Sequence, residues 1–96
     1  MIVVFLVGGI VSGTKYLSAL VRNNVRVTGV ADGRPLVFAH GFGCSQEAWR
    51  LVAPAFEADH RVIRFDLVGS GGSDPSAYDA RKYDSLDGYA ADLVEL

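Results

Sequence analysis

Hydrophobic positions fall into two regimes along this chain. From Met1 to Val11 every residue is apolar or glycine, Gly8 and Gly9 interrupt the run, and Lys15 is the first charged side chain. From Asn24 onward the apolar residues become periodic. Val25 and Val27 alternate with Arg26 and Thr28, which predicts a strand with one wet face. Asp32-Gly33 then marks a tight turn, because both residues tolerate positive φ. Leu36-Val37-Phe38-Ala39 is a continuous apolar run between Pro35 and Gly41, the pattern of a strand buried on both faces. Ser45 is placed to cap a helix whose Trp49, Val52 and Phe56 share a face. Pro54 within it predicts a kink or a restarted segment, since an interior proline costs a helix about 3 kcal/mol. Val62 to Asp66 reads as a second strand, and strand, helix, strand implies a right-handed parallel crossover. The loop Gly69 to Pro75 follows. Leu86, Tyr89, Ala90 and Leu93 then form the stripe of a helix that starts near Asp84 or Ser85 and is expected still to run at Leu96.

The apolar leader does not fit the usual targeting patterns. Eleven residues rise only about 16 Å as a helix, against about 30 Å of hydrocarbon core, so no membrane span is expected. Ser12 and Gly13 resemble the small residues before a secretory cleavage site, but the basic n-region is missing. The simpler readings are that Ile2 to Val7 packs on the domain as a strand or helix, or that the leader is an upstream extension from a misplaced start codon.

Composition narrows the function classes. A chain of 96 residues holds one domain at most, and one that hides about 60 to 65% of its unfolded surface has a marginal core. Half the residues are apolar and mean hydropathy is +0.24, which excludes disorder by charge. The net charge is −2 with scattered basic residues, so no footprint for nucleic acid exists. A single cysteine, Cys44, and two histidines predict neither a disulfide nor a metal site, and no cofactor is implied. A reducing, cytoplasmic setting fits this usage.

Chemistry concentrates at Phe38-Ala39-His40-Gly41-Phe42-Gly43, a glycine-flanked turn at the carboxyl end of a buried strand, where open α/β sheets place their ligand crevices. Gly41 and Gly43 are expected to turn with positive φ. Cys44 lies four residues after His40, yet no third group orients such a pair, so packing near the helix start is the expected role. His60 reads as a solvated strand-edge residue, and Trp49 and Phe56 as core. The Gly69 to Ser73 loop lacks the Gly-Lys-Ser/Thr of a nucleotide cradle, and close backbone approach beside a pocket is expected instead.

Several blocks then resemble one family in order and spacing: Asn23-Asn24-Val25, Gly29, His40-Gly41-Phe42-Gly43-Cys44-Ser45-Gln46, Trp49, Pro54, Asp59 to Ile63, Asp66, Gly69-Ser70-Gly71, Ser73-Asp74, Tyr78-Asp79, Tyr83, Leu86 to Tyr89 and Asp92-Leu93. They are similar to the N-terminal third of the α/β-hydrolase subfamily that includes the bacterial sigma-B regulator RsbQ and the plant karrikin and strigolactone receptors. The resemblance runs from about Val21 to Leu96 and leaves residues 1–20 as an extension outside it. Arg64 departs from it, because the family carries an apolar residue there; an arginine must reach solvent or a carboxylate.

The resemblance implies an incomplete α/β-hydrolase fold, a mainly parallel sheet with flanking helices. It also implies a Ser-His-Asp hydrolase of small esters or lactones, a small apolar ligand, and a regulatory phosphatase partner in stress-response signalling. Of the site residues, only Phe42 is carried over, as an oxyanion-hole backbone N–H donor. No Gly-x-Ser-x-Gly occurs anywhere: Ser73 follows Gly71 but precedes Pro75. The chain is therefore expected to be truncated before its nucleophile and inactive alone. The rival reading is a non-catalytic interaction module that pairs through the exposed edge of the Leu36 to Ala39 strand.

Overall fold

The computed structural model describes residues 2–5 and 14–96. Its elements in chain order are β1 (Ile2–Phe5), α1 (Thr14–Arg22), β2 (Arg26–Gly29), β3 (Arg34–Ala39), two 3-10 segments (Gln46–Trp49 and Ala53–Phe56), β4 (His60–Arg64), a third 3-10 turn (Pro75–Ala77) and α2 (Leu86–Val94). The four strands form one mixed sheet in the order β1-β3-β4-β2. β3 and β4 are parallel, as the crossover pattern requires, while β1 and β2 flank them antiparallel.

β3 is central because its side chains are apolar on both faces. Leu36 and Phe38 join Val62, Trp49 and Ala53 on one side, with Phe56 against them. Val37 and Ala39 join Phe65 on the other, next to Ile63, Leu67, Leu93 and Leu96. Phe38 lies 4.6 Å from Trp49 between ring centroids, so Trp49 is core as expected, while Phe56 is partly buried against it at 5.8 Å from Phe38.

Other expectations are modified. The segment after Ser45 is not one helix but two 3-10 turns, the second restarting at Pro54, where a proline fits because the first turn needs no N–H. Ser45 does cap the first, its hydroxyl accepting from Glu47 N–H at 3.3 Å. Breaking the helix rotates Val52 off the shared face and leaves it exposed. On β2, Val27 is 49% exposed although its pattern predicts an inward side chain. β2 is an edge strand, and Thr28 instead turns toward Glu57, donating to its carboxylate at 3.1 Å. Arg64 faces Arg26 across the β2–β4 ladder, and its buried Nε finds neither a carboxylate nor any other acceptor among the described residues.

The apolar leader contributes β1, and helix α1 follows from Thr14 to Arg22. The sequence reading did not place α1. It ends in a Schellman motif: Asn24 takes φ +46°, Val25 N–H donates to the Leu20 carbonyl at 2.9 Å, and Asn24 N–H donates to that of Val21 at 3.2 Å. β1 lies along the outer side of β3, so the edge expected to be bare is occupied.

Helix α2 starts at Ser85, whose hydroxyl accepts from Asp87 N–H, and ends at Val94 rather than running through Leu96. Its buried positions are Gly88 and Asp92, not the apolar stripe. Asp92 accepts hydrogen bonds from Lys82 Nζ and Tyr83 Oη, both at 2.7 Å, and its carboxylate lies 3.4 Å from Arg22 Nη1. Arg22 also reaches Glu95 at 3.1 Å. These bonds tie α2 to the end of α1 and turn Leu86, Tyr89 and Leu93 toward a cavity. The Asp92 hydrogen bond chiefly raises the Lys82 pKa; burial, followed by Asp92, raises that of Tyr83. Asp92→Ala leaves Tyr83 and Lys82 without their acceptor and takes one of two carboxylates from Arg22, and is expected to lower unfolding free energy by about 2 to 4 kcal/mol. Tyr83→Phe, which removes a single hydrogen bond, should cost about 1 kcal/mol, and urea denaturation of both variants checks the ranking.

Candidate functional site

The carboxyl end of β3 opens onto a cavity of about 370 Å3 lined by Ala39, His40, Gly41, Phe42, Phe65, Leu67, Leu86, Tyr89, Ala90 and Leu93. Its wall is almost wholly apolar: β3 and the segment after β4 supply one side and α2 the other. The stripe predicted along α2 is this second wall, which is why those residues repeat with helical period without being core.

Phe42 stands at the tip of the turn, 66% exposed, with its ring edge-on to Tyr89 at 5.4 Å. Cys44 N–H donates to the Gly41 carbonyl at 3.2 Å and closes the turn. Gly43 takes φ +81°, as a left-handed turn residue must, whereas Gly41 does not adopt positive φ. Only one of the two glycines is therefore needed for backbone freedom. Among the described residues no acceptor takes the Phe42 N–H.

His40 is spent on the backbone. Leu67 N–H donates to its Nε2 at 2.9 Å, which makes that nitrogen the acceptor and leaves Nδ1–H to donate to the Gly41 carbonyl at 2.7 Å. One ring thus ties the turn after β3 to the segment after β4. Cys44 is exposed and makes no hydrogen bond with His40 among the described residues, so no nucleophile-base pair forms there. His60 sits at the start of β4, away from the cavity, with Nδ1 2.7 Å from Asp59 Oδ1.

Behind the turn lies a buried knot centred on Asp66. Its carboxylate accepts from Gln46 N–H at 2.8 Å, Gly72 N–H at 2.9 Å and Asn24 Nδ2 at 3.0 Å. Its backbone pairs with Asn23, giving N–H to the Asn23 carbonyl at 2.8 Å and accepting from Asn23 Nδ2 at 2.9 Å. Gln46 Nε2 closes the circuit on the Asn24 carbonyl at 2.8 Å. Gly71 passes so close that a Cβ there would lie 2.6 Å from the Asp66 carboxylate. Burial pushes the Asp66 pKa up, but the bonds from Gln46, Asn24 and Gly72 together outweigh it and hold the carboxyl below its ordinary value.

The same bonds dispose of the phosphate-cradle reading. Gly72 N–H is committed to Asp66, Gly69 N–H to Ser73 Oγ at 3.1 Å, and Asp74 N–H to the Arg22 carbonyl at 3.0 Å. The loop makes the close backbone approach expected of it, toward a carboxylate of its own chain. Gln46 and Asn24 acquire roles here that no local pattern announces, although both stand in the blocks carrying the family resemblance. No group of residues suited to hold a metal ion occurs among the described residues.

Comparison with known proteins agrees with this arrangement. The model of the Alpha/beta hydrolase family matches residues 36–96. The chain is 46% identical over 84 residues to strigolactone esterase RMS3 of Pisum sativum, covering 88% of this chain and 30% of that protein. It is 35% identical over 74 residues to Karrikin insensitive 2 receptor CA of Petunia hybrida, covering 77% of this chain and 27% of that protein. Among solved structures, olei00960, a hydrolase from Oleispira antarctica, superposes with TM-score 0.78 at 42% identity over 83% of this chain and 29% of its own. The chain belongs to the alpha/beta hydrolase family and matches the N-terminal part of its fold, spanning about a third of the length of these relatives.

Asp66→Asn replaces one acceptor oxygen by an amide and sets it against N–H donors. It should cost about 2 to 4 kcal/mol at pH 7. Because the folded pKa is depressed, the wild-type contribution is complete above about pH 5 and is lost as pH falls below about 4 through the folded value. The stability gap between wild type and variant should therefore narrow on acidification, which urea titrations at pH 7 and pH 3 measure directly.

Proposed function

We propose that this member of the alpha/beta hydrolase family is the N-terminal portion of a serine hydrolase related to RsbQ and the karrikin and strigolactone receptors, acting on small apolar esters or lactones. Residues 21–96 carry the hydrolase part and residues 1–20 an extension. Within that enzyme Phe42 N–H is one oxyanion-hole donor, and the apolar cavity beside it is part of the substrate wall. The observation that carries the reading is the uncommitted Phe42 N–H at the rim of an apolar cavity, at the carboxyl end of the central strand. A donor so placed stabilises charge developing on a carbonyl oxygen, and removing one typically lowers kcat about 10²- to 10³-fold.

The nucleophile and base lie outside these residues. The cavity's polar side chains are His40, whose ring nitrogens both face backbone groups, and Tyr89. The reading places the protein in the cytoplasm and, by kinship with RsbQ, alongside a phosphatase in a stress-response circuit. A non-catalytic module recruiting partners through a bare β3 edge is less well supported, since β1 lies on that edge. No helix among the described residues is long and apolar enough to cross a membrane.

The 96-residue chain should hydrolyse p-nitrophenyl acetate no faster than buffer, and Cys44→Ala and His40→Ala should change nothing. Turnover above background that vanishes in either variant would sink the assignment of the chemistry to a missing part. Residues 21–96 joined to the remainder of the pea esterase should be active. In that chimera Phe42→Pro should lower kcat about 10²- to 10³-fold while Phe42→Ala, which keeps the N–H, retains most of it.

A further inference from the structure

Three buried polar atoms find no hydrogen-bond partner among the described residues: Gln46 Oε1, Trp49 Nε1 and Arg64 Nε. An unpaired polar group out of water is costly, and native proteins leave few of them. Gln46 and Trp49 are only 1% and 5% exposed. They stand three residues apart in the first 3-10 turn, where that spacing sets one side chain above the other on a single face.

Arg64 reaches the same place from β4. Side chains two apart on a strand share a face, so Arg64 lies on the side of Val62, which packs with Leu36, Phe38, Trp49 and Ala53. Its cross-strand neighbours are Phe38 on β3 and Arg26 on β2. The 3-10 turn touches both: Trp49 packs on Phe38 at 4.6 Å between ring centroids, and Glu47 accepts from Arg26 Nη1 at 3.1 Å. Gln46, next to Glu47, donates to the carbonyl of Asn24, two residues before Arg26. The Arg64 side chain therefore runs beneath the turn that carries the other two atoms. This is the opposite face of β3 from the apolar cavity, whose wall includes Ala39 and Phe65.

The chemistry of the three atoms selects what bridges them. The Gln46 amide must turn its nitrogen toward the Asn24 carbonyl, which leaves Oε1 as an acceptor. Trp49 Nε1 and Arg64 Nε are donors only. An anion would suit the two donors and be repelled by Oε1, whereas a cation would suit Oε1 and meet a guanidinium. A water molecule accepts from two N–H groups and donates one O–H, and three such bonds are the usual number for a buried water.

We propose that the space between the first 3-10 turn and β4 is an internal water site, in which one water accepts from Trp49 Nε1 and Arg64 Nε and donates to Gln46 Oε1. The bridge ties the turn to β4 from beneath, as the bond from Gln46 N–H to Asp66 ties it at its edge. It also gives Arg64, which stands where the family resemblance places an apolar residue, a partner other than solvent or a carboxylate. The inference does not depend on the hydrolase reading.

Nuclear Overhauser spectra recorded between water and the full chain, labelled with 15N and 13C, test it. The chain has one tryptophan, so its indole signal is unambiguous, and the Arg64 Hε signal is identified by its loss in Arg64→Leu. Water should give cross-peaks to Trp49 Hε1 and Arg64 Hε whose signs are opposite in the laboratory-frame and rotating-frame experiments, as for a water held longer than the molecule takes to tumble. In Arg64→Leu, where one of the three bonds is gone, 17O relaxation dispersion should show the residence time shortened at least 10-fold. If that variant fails to fold, the wild-type spectra decide alone. Absence of either cross-peak, or cross-peaks of the same sign in both experiments, which report proton exchange with bulk solvent, overturns the proposal. So does a through-bond coupling from either N–H to the Gln46 side-chain carbonyl, which reports a direct bond, or an unchanged residence time in folded Arg64→Leu.

Discussion

Burying the Asp66 carboxylate is the constraint on which the rest of this structure depends. An ionised group out of water needs its lone pairs filled, and here the donors come from segments far apart in sequence: Asn24 after α1, Gln46 at the first 3-10 turn, and Gly72 in the loop after β4. Satisfying one charge therefore fixes where three connections meet. The Asn23 backbone and side chain add two more bonds to the Asp66 main chain, so the end of α1 is registered against the end of β4. The turn bearing Phe42 lies between two of these anchored points, β3 and Gln46, and His40 Nε2 adds a third at Leu67 N–H. The rim of the cavity is thereby held without any contact to a ligand.

A second buried carboxylate performs the corresponding task for the far wall. Asp92 pulls α2 toward Arg22, Lys82 and Tyr83, and this sets the rotation of the helix about its axis. The apolar stripe then faces the cavity. Two polar anchors thus orient an apolar pocket: hydrophobic burial supplies the driving force for the sheet and its two layers, and directional hydrogen bonds decide which apolar residues remain available to a ligand.

The legible part of the fold was what local pattern encodes. The buried strand at Leu36 to Ala39, the parallel strand at Val62, the Ser45 and Ser85 caps and the restart at Pro54 all follow from a few neighbouring residues. Helix α1 escaped because its apolar positions adjoin an apolar leader that masks the period, although Asn24 at its C-terminus carries a stop signal of known chemistry. Val27 and Val52 were misplaced for a different reason. Alternation and helical spacing report which residues share a face but not whether anything covers it. The turn at Gly41 to Gly43 and its family likeness located the site, while the part played by Gln46 there rests on contacts across 20 residues or more.

By itself, the sequence determined the α/β pattern, the family, the strand-end turn with Phe42, and the lack of any Gly-x-Ser-x-Gly nucleophile motif in these 96 residues. Each is a matter of residue type at short spacing. Only the tertiary structure decided that Asp66 joins three loops, that His40 braces backbone instead of serving a thiol, that the α2 stripe lines a cavity, and that Ile2–Phe5 covers the edge of β3. Those outcomes depend on which main-chain and charged groups find partners once the chain has collapsed. Periodicity along the chain does not carry that information, because a hydrogen bond is specified by the positions of two groups in space and not by either alone.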